Sequence, residues 1–285
     1  MRESSRRLSL TGAVGNALVA DAWGDHCGDP VIFLHGGGQT RHAWGGAATR
    51  VAEAGAYGVS VDLRGHGESD WTEQYGHTDF GNDIISIVRQ IGGKPVLVGA
   101  SLGGISALAA QDIARGELCH ALVLVDIAPR TNPEGVERIL QFMRDGAKGF
   151  NSLDEAADAV ASYLRERNRP KDTSGLRKNL RQKEDGRWYW HWDPKFLSHS
   201  PEERKQAAVK LAEAAKRLRV PTLLVRGGSS DVLTSKGVEA FRELVPHAEF
   251  VDIAGAGHMV AGDRNDAFTD AILTFLRKHR EAAAA

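Results

Sequence analysis

Short unbroken apolar runs punctuate the chain at Val31–Leu34, Val59–Leu63, Val96–Val98, Leu122–Val125, Thr222–Val225 and Phe250–Ile253, each bounded by glycine or a polar turn. Runs of this length without polar alternation suit strands covered on both faces, as a parallel sheet requires. Between them the apolar spacing changes to that of helices. Phe80–Ile91 sets Ile84, Ile87, Val88 and Ile91 on one stripe, and Ala267–Leu276 does the same with Phe268, Ala271, Ile272, Phe275 and Leu276. Alternation of these two patterns predicts an α/β fold with a mostly parallel, doubly wound sheet and right-handed crossovers. The opening segments Leu8–Thr11 and Ala17–Trp23, joined about Gly15-Asn16, read instead as an antiparallel hairpin.

From about Arg130 to Arg217 the β-rich runs give way to charged, helical sequence. Glu134–Arg144, Leu153–Arg167 and Pro201–Leu218 are the helices expected there, with the aromatic cluster Trp188-Tyr189-Trp190-His191-Trp192 before the last. A helical stretch interrupting an α/β alternation reads as a lid. The expected organisation is a core of residues 1–129 and 218–285 with a helical cap at 130–217.

Composition narrows the partners. The 285 residues are 42% hydrophobic and 26% charged, with 36 basic against 37 acidic side chains and a formal net charge of -1. That balance gives no electrostatic reason to expect nucleic acid or an anionic membrane surface. Two cysteines, Cys27 and Cys119, without metal-like spacing do not make a disulfide framework and fit free thiols in a reducing compartment. The basic N-terminus lacks the apolar stretch of a signal peptide, and no run reaches the ~18 residues of a membrane span. A cytoplasmic protein acting on a small molecule, as monomer or homodimer, is expected.

The chemistry centres on Gly99-Ala100-Ser101-Leu102-Gly103-Gly104, which follows one buried strand and opens the helical Ile105–Ala114. G-x-S-x-G between strand and helix places a serine on a sharp turn, its hydroxyl thrust clear of the sheet beside unpaired helix N–H groups. A serine hydroxyl needs a base, and the base needs an orienting carboxylate. His258 in Gly255-Ala256-Gly257-His258 follows the last strand and is the expected base. Asp231, ending Arg226-Gly227-Gly228-Ser229-Ser230-Asp231, is the expected acid, with Asp126, directly after Leu122–Val125, as its competitor. All three loops lie at the carboxyl edge of the sheet, where chemistry gathers in open α/β folds. His35-Gly36-Gly37-Gly38 supplies the expected oxyanion hole, with Gly37 as one N–H donor and Leu102 as the other. His35 itself reads as a brace for that loop.

With HGGG at His35–Gly38, DLRGHGESD at Asp62–Asp70, GASLGG at Gly99–Gly104, RGGSSD ending at Asp231 and GAGHM ending at Met259, the chain resembles the α/β-hydrolase superfamily. The likeness extends from Val31 to Leu276. It implies a helical cap between the sixth and seventh strands by the family's counting, no cofactor and no metal. It also implies similarity to capped bacterial serine esterases and lactonases. Ser101 at the elbow excludes the aspartate-nucleophile chemistry of the family's epoxide hydrolases and dehalogenases. Asp62, Arg64, His66 and Asp70 read as scaffold.

The resulting expectation is hydrolysis of an ester or lactone of a small, partly apolar substrate through an acyl-enzyme. Trp188, Trp190 and Trp192, with Met259 and Arg41, are candidate pocket residues, and Tyr189 belongs to the same cluster. Two alternatives use the same triad. One is carbon–carbon bond hydrolysis of the meta-cleavage type, with Arg41 or Arg187 holding a substrate carboxylate. The other is a slow-turnover ligand sensor.

Overall fold

The computed structural model describes residues 5–116, 118–163, 172–258 and 265–284. Strands β1 (Arg6–Thr11), β2 (Ala17–Trp23), β3 (Pro30–Leu34), β4 (Tyr57–Val61), β5 (Val96–Ala100), β6 (Ala121–Val125), β9 (Thr222–Gly227) and β10 (Glu249–Ile253) form one sheet. Their order is β1-β2-β4-β3-β5-β6-β9-β10. The first hairpin is antiparallel and β2 runs antiparallel to β4, while every pairing from β4 to β10 is parallel.

The unbroken apolar runs are explained by what covers them. Ile32, Leu34, Leu97, Leu122, Leu124 and Leu224 face one layer, built with Phe80, Ile84 and Ile87 of α2 (His77–Ile91) and Ala107 and Leu108 of α3 (Leu102–Ile113). Val31, Phe33, Val98, Val123, Val125 and Val225, the alternate residues, face the other. There they meet Trp44, Ala48 and Val51 at α1 (Gly45–Glu53), and Phe268, Ile272 and Phe275 on α8 (Asn265–Ala284). Period-2 side-chain direction thus divides each strand between two cores. Each large side chain so buried stabilises the fold by roughly 1.5–3 kcal/mol.

Between β6 and β9 the chain builds α4 (Pro133–Asp145), α5 (Leu153–Tyr163), a hairpin of β7 (Leu180–Gln182) and β8 (Trp188–Trp190), and α6 (Pro201–Lys216). Residues 164–171, where the Leu153–Arg167 helix was expected to end, lie outside the described residues. The hairpin is a departure from an all-helical lid. Met143, Phe150, Ala156, Leu180, Trp190 and Trp192 form its separate apolar cluster. Helix α6, grouped with the cap in sequence, places Leu211, Ala214 and Ala215 in the α2/α3 core, so the cap's own packing unit ends before it. Helix α7 (Ser235–Leu244) completes that layer through Val238 and Phe241. None of the described helices is long and apolar enough to cross a membrane.

The DLRGHGESD stretch is the platform on which the cap sits. Arg64 forms a two-point pair with Asp83 (2.6 Å each), both buried. Asp70 Oδ2 accepts from Ala17 N at 2.7 Å. On the cap side, Gly67 N donates to His191 Nδ1 (2.6 Å), Asp193 N donates to Gly65 O (2.9 Å) and Arg181 donates to Gly67 O. Tyr75 donates its hydroxyl to Asp193 Oδ2 at 2.7 Å.

Candidate active site

Ser101 stands between β5 and α3 with φ 46° and ψ -112°, a conformation that L side chains rarely adopt. The turn is possible because the residues two before and two after it carry no side chain. A Cβ on Gly99 would lie 2.4 Å from Gly103 C, and one on Gly103 would lie 2.3 Å from Leu34 O. Ser101 N donates to Val125 O at 3.1 Å, which ties the elbow to the end of β6. Leu102 opens α3, so its N–H has no intrahelical acceptor.

The residue after Val125 is Asp126, also at positive φ (50°) and with no exposed surface. Its Oδ2 lies 2.7 Å from His258 Nδ1, and its Oδ1 accepts from Gly227 N at 2.9 Å. The carboxylate facing the imidazole is therefore Asp126, and the expectation for Asp231 is corrected. Asp231 projects into solvent and pairs with Arg138 of α4, their side chains 47% and 62% exposed. Its carbonyl accepts from Asn132 Nδ2 at 2.9 Å. A Cβ on Gly135 would meet that same carbonyl at 2.2 Å. Asp231 thus anchors the base of the cap.

The HGGG loop lies against the elbow. Gly103 N donates to His35 O at 3.1 Å, and a Cβ on Gly36 would sit 3.5 Å from Ser101 Cβ. Gly36 N donates to Gln39 Oε1 (2.9 Å) and Gln39 N to Gly36 O (3.1 Å), closing the turn around Gly37. A Cβ on Gly37 would be 4.0 Å from Leu102 Cβ, so the two expected N–H donors belong to touching segments. His35 accepts from Leu63 N through Nε2 (3.0 Å), which leaves Nδ1 to donate to Gly36 O (2.8 Å). That geometry is a brace.

Burial pushes His35 down to about 4, and burial together with charge on His35 pushes its neighbour His66 down to about 3. Both are neutral in the folded chain at pH 7, whereas the unfolded chain takes up these protons near pH ~6.5. The unfolded state then binds more protons as pH falls from about 6.5 towards 4, and stability falls through that window. His35 alone accounts for a loss on the order of 3 kcal/mol. Urea unfolding midpoints measured from neutral pH down to about 4 should drop steadily; a flat profile would rule out neutral burial of the pair.

The cap contributes apolar walls over the HGGG loop. A Cβ on Gly37 would be 3.1 Å from Phe196 Cζ, and one on Gly38 would be 3.1 Å from Met143 Cε and 3.3 Å from Trp192 Cζ3. Trp192 is therefore brought to the site, and Trp190 stacks on it with ring centroids 4.9 Å apart. Trp188 lies under the Arg177 guanidinium (4.9 Å), and Tyr189 donates to Asp185 (2.7 Å). Both are committed to the cap. Met259 lies outside the described residues. Phe196 and Met143 were not singled out in sequence; they are two among several apolar side chains of the cap segments.

Arg41 also departs from its expected place in the pocket. It is buried and engaged by three carboxylates: Asp62, Glu68 at 2.7 Å and Asp21 at 3.0 Å. Burial opposes its charge, but these acids together raise its pKa. A cavity of about 240 Å³ borders it at the seam with Arg181 and His191. A larger cavity of about 710 Å³ lies among Pro30, Val96, Ala121 and Leu276. It sits at the opposite edge of the sheet from Ser101, so size alone does not mark the site.

The two cysteines are free thiols, Cys27 exposed and Cys119 buried.

Comparison with known proteins agrees with this architecture. An esterase of Mycobacterium tuberculosis is 29% identical over 265 residues, covering 90% of this chain and 85% of that protein. An sn-1-specific diacylglycerol lipase of Mus musculus is 26% identical over 261 residues, covering 89% and 82%. The crystal structure of E-2-(acetamidomethylene)succinate hydrolase superimposes with a TM-score of 0.80 at 24% identity, covering 96% of this chain and 99% of that one, a likeness of fold. Residues 31–271 match the model of the alpha/beta hydrolase family. From the strained serine elbow to the sheet that carries it, the chain belongs to the alpha/beta hydrolase family.

Proposed function

We propose that the protein is a serine ester hydrolase, cleaving small, partly apolar carboxylic esters or lactones through an acyl-enzyme on Ser101, with His258 as base and Asp126 as acid. The observation that carries this reading is the Asp126–His258 contact of 2.7 Å, with Asp126 directly after Val125, whose carbonyl accepts from the N–H of the strained Ser101. The esterase and lipase names of the two relatives support the ester as the bond cleaved.

His258 Nε2 takes the Ser101 proton as Oγ bonds to the carbonyl carbon. The carbonyl electrons move onto oxygen, where the N–H groups of Gly37 and Leu102 receive them. Collapse of that intermediate breaks the bond to the alkoxide, which leaves with the proton from His258. Water, deprotonated by the same imidazole, then attacks the acyl-enzyme and frees Ser101 and the acid. Asp126 holds His258 with Nδ1–H directed at the carboxylate, so that Nε2 is the basic nitrogen. Preorganised N–H donors of this kind each supply about 2.7–4 kcal/mol to the transition state. Phe196, Trp192 and Met143 bound the acyl side and favour short apolar chains. A cytoplasmic location fits the two free thiols.

Carbon–carbon hydrolysis on the same triad needs a cation for the substrate carboxylate. Arg41 is engaged as described, and Arg187 donates to Asn151 Oδ1 and Gly149 O at 2.8 Å each. Ester hydrolysis is accordingly the reading preferred.

The test is an acid-quenched reaction with a p-nitrophenyl ester of short chain, followed by peptide mass mapping. The expected product is an acyl adduct on Ser101, formed in a burst and then turned over repeatedly. Steady hydrolysis with the adduct on another residue would sink the proposal. A burst without further turnover would instead favour the sensor.

A further inference from the structure

We infer that Ser230 is a positioning residue that fixes the Asp126 carboxylate and shares its charge with His258. This inference rests on the reading of Asp126 as the acid.

A serine hydroxyl has one proton to donate and two lone pairs to accept with. At Ser230 the accepting side is occupied: Val232 N donates to Oγ at 3.1 Å and Leu233 N at 3.2 Å. The proton that remains is donated to Asp126 Oδ2, the oxygen that also receives His258 Nδ1. The direction of this hydrogen bond is therefore set by the backbone. Ser230 N donates in turn to Gly227 O at 2.8 Å. The last residue of β9 and the tight turn after it thus deliver two donors to the same carboxylate: Gly227 N to Oδ1 and Ser230 Oγ to Oδ2.

Two consequences follow for the imidazole. The carboxylate cannot rotate about its Cβ–Cγ bond without losing a donor, and it is buried with no exposed surface to replace one. Its plane, and with it the aim of His258, is fixed before substrate arrives. The Ser230 proton also draws on the oxygen that faces His258, so the negative charge of that oxygen is divided between the hydroxyl and the imidazole. The loop after β9 therefore holds the acid in place of supplying it, and the residue that does so is one position before the solvent-facing Asp231.

Ser230→Ala removes both effects. The expected result is a fall in kcat of roughly 10–100-fold with KM within about twofold. Removing the competing donor leaves more negative charge for the imidazolium. The acid limb of the kcat/KM profile should then move to higher pH, by roughly half a unit or more. Ser230→Thr, which keeps the hydroxyl, should restore both. A purely structural role in the turn would lower the unfolding midpoint without moving the limb. It would also cost as much in a D126N background as in the wild type, whereas a role through Asp126 makes S230A nearly silent there.

Wild-type kcat and an unmoved limb in S230A, or a loss that adds fully to that of D126N, overturns the inference. If S230A does not fold, S230C keeps the bulk while weakening the donor and should give the same limb shift; S230C with the wild-type limb overturns it equally. A D126N enzyme of near-normal rate overturns the reading of the acid and this inference with it. Collapse of D126N alongside an unaffected S230A overturns this inference alone.

Discussion

Alanine at position 101 is expected to abolish turnover: kcat for ester hydrolysis should fall by roughly 10⁵–10⁶-fold, the cost seen when a serine nucleophile is removed from an intact triad. What remains comes from the N–H donors and substrate binding, which survive the substitution. The fold should be retained, because the Ser101 backbone bond to Val125 and the glycine contacts around the elbow do not involve the hydroxyl. Glycine at the same position should be equally inactive yet more stable by on the order of 1 kcal/mol. It adopts a positive φ without the strain that serine bears at 46°. Turnover numbers and thermal midpoints of wild type, S101A and S101G check both statements. An S101A enzyme of near-normal rate, with contamination excluded, removes Ser101 from the mechanism.

The second large effect separates two aspartates. Asp126→Asn should lower kcat by roughly 10⁴-fold, the typical consequence of turning a triad carboxylate into an amide that holds the imidazole in the wrong tautomer. Asparagine tolerates the left-handed backbone at φ 50°, so the variant should fold. Among the described residues, Asp231→Asn breaks an exposed pair with Arg138. Such pairs contribute about 0–1 kcal/mol, and activity should stay within about twofold. Side-by-side kcat values decide the matter; a large loss in D231N with a small one in D126N would reverse the assignment.

Why the sequence left those aspartates open is instructive. Each follows a buried strand at the carboxyl edge of the sheet, and chain order is satisfied by either. The deciding quantity is side-chain direction. Asp126 turns inward because its backbone enters the left-handed region, and Asp231 turns outward with the cap helix it anchors. A signal was present nonetheless. Asp126 is the single charge within Leu122–Ala128, an otherwise apolar stretch, and a lone acid there calls for a buried partner. Asp231 sits in a polar turn where an acid needs none.

The strands were legible because two-sided burial leaves unbroken apolar runs, as at β3 and β6. Strand β4 was displaced by two residues: Tyr57-Gly58 already pair with β3, while Asp62, expected inside the strand, has its buried carboxylate on Arg41. The β7–β8 hairpin escaped because three-residue strands are too short to display a period. Likewise Arg41 looked like a pocket cation, since sequence separation hides Asp21, Asp62 and Glu68 from a reading of local spacing.

The bond from Ser101 to Val125 has a further consequence. Ser101 and Asp126 ride on neighbouring strands in fixed ladder register, so their separation belongs to the most rigid part of the molecule. The imidazole instead hangs from the far side of an edge strand, on a connection past Ile253. Geometric error in this trio therefore accumulates in one arm alone. Any engineering for heat tolerance gains more from bracing that arm than from further compaction of the interior.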